Sequence, residues 1–144
     1  MQPSHGNSST NDALGALLTA FACESGTLHA VASDGALHLR AASGIPASVL
    51  DIVRIVPVGK GMAGLAAERK QPVSTCNLQT DSTGDISPSA KATGLGGSVC
   101  VPLLSADGSV RGTLGVGCRA ERVFTKDEEA RLMVAGAALL QAIA

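Results

Sequence analysis

The chain has 144 residues, enough for one domain with a single core. Apolar residues make up 45% and charged residues 16%, a balance that excludes a disordered chain. The net charge is -1, Lys and Arg stand singly, and Trp and Tyr are absent, so neither a basic face nor a base-stacking platform is available and nucleic acid is not expected as a partner.

Residues 1–10, MQPSHGNSST, read as a flexible polar tail. Thr10, Asn11 or Asp12 then caps a helix running to about Phe21, in which Leu14, Leu17, Leu18 and Phe21 form one apolar stripe. The segment ALGALLTAFAC ends at Cys23 as a lipoprotein signal would, yet no Lys or Arg precedes it and Asn11 and Asp12 stand in that place. It is also too short to span a bilayer. A soluble, cytoplasmic protein with no membrane partner is the expectation.

The period then changes from helix to strand. GTLHAVASDGALHLRAA predicts a hairpin turning at Ser33, Asp34 and Gly35, with Leu37, Leu39 and Ala41 alternating against His38 and Arg40. Pro46 begins a short helix, VRIVPV is a short strand, and a glycine-rich turn opens onto the helix MAGLAAERK. A further strand starts at Pro72. Residues 76–97 form a long polar loop without period, a length that is usually functional or mobile inside a domain. SVCVPLL and SVRGTLGVGC make a second hairpin across Asp107 and Gly108, with Val110, Leu114 and Val116 as inward candidates. Thr125 and Glu128 stand in capping-box relation before a helix that reaches nearly to the end. No repeat or linker divides the chain, so residues 11–144 read as one domain.

Gly59, Gly61 and Gly64 spell G-x-G-x-x-G, with Asp81 further on, the written form of a dinucleotide fingerprint. Such a site needs a strand, a helix of several turns and a parallel strand ending in the acidic residue. Here Pro72 follows Gly64 by eight residues and Asp81 falls in the long loop. A P-loop fails as well, because Lys60 is followed by Gly61. The glycines are expected to turn a strand sharply into a short helix lying close to the sheet.

Four cysteines, Cys23, Cys76, Cys100 and Cys118, lack zinc-ligand spacing, and a disulfide framework is out of keeping with so much apolar sequence. Free, mostly buried thiols are expected. His5, His29 and His38 do not cluster, and a packed or solvated ring is the ordinary role for the latter two. Neither a haem nor a metal site is supported, and the cofactor stays unknown.

In order, the elements and the motifs GKGMAGLAAERKQPV, SVCVPLLSADGSVRGTLGVG and ERVFTKDEEARL resemble those of a GAF domain, over roughly Leu14 to Ala144. The resemblance implies an α/β (α+β), GAF/PAS-like fold. It has a central antiparallel sheet of about six strands, helices packed on one face and a ligand pocket under the long loop on the other. It further implies a homodimer through the terminal helices. The sequence agrees on that point: Leu132, Leu139, Leu140 and Ile143 share a side of the last helix, and Ala135, Gly136, Ala137 and Ala138 are small enough for a partner helix to approach. Both helices covering only their own sheet is the plainer alternative.

On this resemblance the pocket groups are Cys76, Asn77, Gln79, Thr80 and Asp81 from the loop, Ser98 and Cys100 from the next strand, and Thr113 from its hairpin partner. Amides, hydroxyls and one carboxylate around an apolar floor suit a small polar molecule. Equally, Asn77, Thr80 and Asp81 belong to the residue types that fold a loop through side-chain-to-backbone bonds. A GAF subfamily reduces free methionine sulfoxide with thiols, one attacking sulfur and one resolving the sulfenic acid. The present chain departs from it, having Met62 and Ala63 where that subfamily places a cysteine, and none between Asn77 and Val99. Bilin attachment, known in related photoreceptor domains, lacks its aromatic and histidine lining. The expected function is therefore a sensor that binds a small molecule and passes the signal to a separate signalling protein, since no output domain is encoded. A thiol-dependent reductase using Cys76 and Cys100, or a dimerising module without ligand, stands as the alternative. The leading Met and polar tail favour a complete small protein.

Overall fold

The computed structural model describes residues 8–83, Ile86 and residues 91–143. Of the expected tail, residues 1–7 lie outside the described residues, and 8–10 already belong to helix α1, Ser8–Ala20. Asn11 still has a tying role, its Oδ1 accepting the Ala42 N–H at 3.1 Å.

The strands are β1 (Ser25–Val31), β2 (Leu37–Ser43), β3 (Ile55–Val56), β4 (Val73–Thr75), β5 (Ser98–Leu104) and β6 (Val110–Gly117). They form one six-stranded sheet in the order β3-β2-β1-β6-β5-β4, with every neighbouring pair antiparallel. Helices α2 (Ala47–Ile52) and α3 (Gly61–Arg69) interrupt the strands, and α4 (Lys126–Ile143) closes the chain. The Asp-Gly turns fall where the sequence puts them. In the first, Asp34 Oδ1 accepts the Ala36 N–H at 2.9 Å and Gly35 takes a positive φ.

Strand alternation divides the molecule into two cores. Leu28, Val99, Val101, Leu103, Leu114 and Val116 face α1 and α4, where they meet Leu14, Leu18, Leu132 and Leu140. Full burial of each such side chain contributes about 1.5–3 kcal/mol. On the other face Met62 and Ala66 of α3 pack with Val73, Leu78, Leu95 and Cys100. The two long terminal helices thus cover one face, while the short α2 and α3 share the other with a cavity.

The glycine turn serves geometry. Gly59 has φ +94° and its N–H donates to Gly64 O at 2.8 Å. A Cβ on Gly64 would sit 2.4 Å from Pro57 O, so only glycine lets α3 fold back there. After α3 the chain enters β4 at the far edge of the sheet, antiparallel to β5, so no parallel crossover for a dinucleotide exists. The strand before the turn is shorter than VRIVPV suggests, ending at Val56 because Pro57 has no N–H to offer a ladder.

The capping box at α4 is formed in both directions. Glu128 N–H donates to Thr125 Oγ1 at 3.0 Å, and Thr125 N–H donates to Glu128 Oε1 at 2.9 Å. Gly136 faces the sheet rather than outward: its Cβ would lie 2.8 Å from Leu103 Cδ2. Outward on α4 are Val134, 73% exposed, and Ala138.

Candidate functional site

Between strands β1, β5 and β6 on one side and α2, the edge strand β3 and α3 on the other lies a cavity of about 250 Å³. Val49, Ile52, Ile55, Met62, Leu78 and Leu95 make most of its wall apolar, and exposed Lys60 stands at its rim. Its volume falls just below the roughly 300–1,000 Å³ usual for small-molecule pockets, so it suits a compact ligand. The floor is the sheet itself. From β1 come Ser25, Thr27 and His29, from β5 Ser98 and Cys100, and from β6 Gly115 and Gly117. The glycines matter by absence of bulk, since a Cβ on Gly115 would approach Cys100 Sγ to 3.0 Å.

His29 is the most constrained polar group on this floor. It is 2% exposed, and its Nε2 lies 2.8 Å from Val53 O. A carbonyl only accepts, so Nε2 carries the proton and Nδ1 the lone pair. Burial pushes the His29 pKa below its ordinary 6.5, against the opposing pull of the Val53 hydrogen bond. The ring is therefore a neutral imidazole whose buried Nδ1 has no partner among the described residues. Ser25 Oγ and Thr113 Oγ1 are likewise buried and unpartnered. Thr113 is the cross-strand partner of His29 and Ser25 that of Gly117, so all three groups stand on the cavity face of one ladder.

Of the residues expected at a site, Ser98 and Cys100 line the cavity, with Ser98 Oγ donating to Val116 O at 3.0 Å. Thr113 lies on the same face, fully buried beneath the lining. The loop residues do something else. Asn77 Oδ1 accepts the Gln79 N–H at 2.9 Å and its Nδ2 donates to Glu121 Oε2 at 2.9 Å. Gln79 Nε2 donates to Lys91 O and Leu95 O, while Asp81 Oδ1 accepts from both the N–H and hydroxyl of Thr83. The Thr83 hydroxyl is also the first cause holding the Asp81 pKa below its ordinary value. Thr80 N–H donates to Asn77 O at 3.4 Å, and Cys76 is exposed. The side chains of Asn77, Gln79 and Asp81 brace the loop, and the loop reaches the cavity through Leu78, Thr93 and Leu95.

Cys76 and Cys100 are not brought together. Cys100 pairs with Val73, three residues before Cys76, and a strand rise of about 3.3 Å per residue separates their positions by roughly 10 Å. Burial alone pushes the Cys100 thiol up to about 12. The sequence reading missed β1 as a source of cavity groups. Its signal was present in Ser25, Thr27 and His29, polar residues alternating with Gly26, Leu28 and Ala30.

A family model described as GAF domain matches residues 10–144. No curated protein matches the sequence. Solved structures agree in fold. The GAF domain region of a Geobacter sulfurreducens PCA protein superposes with a TM-score of 0.76 at 19% identity, covering 92% of this chain and 89% of that one. The GAF domain of a Coxiella burnetii phosphoenolpyruvate-protein phosphotransferase gives 0.74 at 20% identity, covering 93% and 79%. A type II free methionine-R-sulfoxide reductase from Thermoplasma acidophilum gives 0.71 at 18% identity, covering 94% and 92%. At these identities the likeness speaks for the fold. Among the described residues no helix is long and apolar enough to cross a membrane.

Proposed function

The chain belongs to the GAF domain family, whose fold is that of signalling and sensor modules, and on that premise we propose that it senses a small molecule held in the cavity beneath the 76–97 loop. One observation carries the reading: of the residues lining the cavity, Ser25 Oγ and His29 Nδ1 are buried without partners among the described residues. Leaving such a group unsatisfied costs about 1–3 kcal/mol, and a ligand offers what they lack. Because Nδ1 is an acceptor, the ligand is one that presents an N–H or O–H to His29 and an apolar body to Val49, Ile52 and Met62. In this reading the chain acts as a homodimer through α1 and α4 and hands occupancy on to a separate signalling protein.

Native mass spectrometry of gently purified protein tests this. A small discrete adduct, lost on denaturation and absent from His29→Leu, is the expected result. Where the adduct is missing, a ligand panel follows by thermal shift, with free methionine sulfoxide included because neighbouring folds are reductases of it. No adduct, and no compound that stabilises wild type more than His29→Leu, would overturn the sensor reading in favour of an interaction module without ligand.

A further inference from the structure

A second pair of thiols lies outside the cavity. Cys23, in the turn from α1 into β1, and Cys118, one residue past β6, place their sulfurs 3.7 Å apart. Both are buried, at 8% and 5% exposure. Arg122 closes over them. Its Nη1 is 3.3 Å from Cys118 Sγ and 3.6 Å from Cys23 Sγ, and it donates to Phe21 O at 2.8 Å. The same guanidinium lies 4.4 Å above the Phe124 ring and pairs through Nη2 with Glu128 Oε2 at 2.6 Å. A cationic group against two adjacent sulfurs has a direct chemical reading, because thiolate is the nucleophilic form and a guanidinium favours it.

We propose that Cys23 and Cys118 are a peroxide-reactive dithiol that forms a reversible disulfide. Cys118, the sulfur nearer Arg122, attacks one oxygen of a hydroperoxide. The O–O bond breaks, an alcohol or water leaves with a proton, and Cys118 becomes a sulfenic acid. Cys23 then attacks that sulfur, the S–O bond breaks, water leaves with the Cys23 proton, and the S–S bond forms. Two thiols and one peroxide thus give one disulfide, water and the reduced peroxide, with sulfur oxidised and peroxide oxygen reduced. The order of roles follows from position, Cys118 being the sulfur nearer Arg122, and Cys23, whose thiol burial pushes up, gives up its proton only as the S–S bond forms. The sulfurs have to close from 3.7 Å to about 2 Å. A cellular thiol reverses the step by exchange. Because Arg122 also holds Glu128 in the capping box of α4, the oxidation state is felt where the terminal helix starts.

The test uses the full chain carrying Cys76→Ser, which removes the exposed thiol. Hydrogen peroxide is added, remaining thiols are alkylated under denaturing conditions, and peptides are mapped with and without reductant. The expected product is a Cys23–Cys118 linked species, lighter by two hydrogen atoms and restored by reductant, with Cys100 still alkylated. Arg122→Gln is expected to slow the reaction about tenfold by withdrawing the charge from the attacking thiolate. Cys100 reports folding in that variant, since alkylation of it before denaturant marks an opened core. Should Arg122→Gln open the core, Arg122→Lys supplies the comparison, with a retained charge expected to keep most of the rate. Both thiols surviving peroxide, or Cys100 oxidising as fast as the pair, overturns the proposal. Equal rates in wild type and in a folded Arg122→Gln overturn the part assigned to Arg122.

Discussion

Replacing His29 by Gln removes a buried titrating ring and keeps an N–H donor for Val53 O. Its effect is a change in how stability depends on pH. In the folded protein burial holds His29 below its ordinary 6.5, whereas in the unfolded chain it titrates near 6.5. Just below that pH the unfolded state binds more protons than the folded state, so stability rises with pH. The contribution is fully present above 6.5 and is lost as the pH falls toward the folded value. The limiting slope is about 1.4 kcal/mol per pH unit, so passing from pH 6.5 to 5.5 removes at most roughly 1 kcal/mol. Asp34, Asp81 and Glu128 also titrate below their ordinary values, first through the hydrogen bonds they accept from Ala36 N–H, the Thr83 hydroxyl and Thr125 N–H, but those values, 3.8 and 4.5, place their effect at lower pH. His38, paired with Asp34 at 2.9 Å, is common to wild type and variant, so the difference between their curves reads His29. Urea unfolding from about pH 8 to about pH 5 reads the slope directly. Wild type is expected to lose more stability through this range than His29→Gln. Parallel curves would refute the assignment of a neutral, desolvated ring.

Three further outcomes follow from packing. Gly136→Leu drives a side chain into Leu103 and Leu114, whose atoms already stand 2.8–3.2 Å from where a Cβ would be, and is expected to cost about 1–3 kcal/mol in a thermal melt. Thr125→Ala removes one half of the α4 capping box and should lower stability by about 1 kcal/mol, seen as a shifted urea midpoint with unchanged m-value. Val134→Glu places a charge on the outward side of α4, where Val134 is 73% exposed. It should leave monomer stability within about 0.5 kcal/mol and break the proposed dimer in light scattering, so a dimer that persists excludes this face.

The elements were legible because each rests on local chemistry. The Asp-Gly turns, the Thr125–Glu128 box and the alternation of Leu37, Leu39 and Ala41 are short-range signals, and each is found in the structure. The site was less legible, since it is made by register between distant strands. Ser98 and Cys100 line the cavity because they alternate with Val99 and Val101, which face the helices on the other side of the strand. Asn77 and Asp81 brace the loop through bonds to the Gln79 and Thr83 N–H groups, an outcome the sequence left evenly balanced against ligand contact, and Gln79 adds a bond to Leu95 O. His29 was overlooked because a lone histidine on a hairpin is ordinary. Its meaning arises only when Val53, 24 residues away, fixes the tautomer and the apolar wall closes around it. Gly136 was assigned to a partner helix on composition, whereas its contacts are with its own sheet.

Strands β1 and β6 tie these features into one arrangement. On the cavity side they carry Ser25, His29 and Thr113; on the other they carry Gly26, Leu28, Leu114 and Val116. The helices sit against that second side without slack. A Cβ at Gly26 would be 2.8 Å from Leu18 of α1, and Gly136 of α4 is seated as closely on Leu103. Packed interiors transmit displacement because no void takes it up. In the proposed reading, a ligand that draws His29 and Ser25 toward itself moves the strands on which α1 and α4 rest. The Cys23–Cys118 pair stands at the end of the same ladder, beside the Ser25–Gly117 pair, under the arginine that holds the first turn of α4. In the proposed reading both inputs act on the β1–β6 ladder, the ligand from its cavity face and the thiol pair from its end.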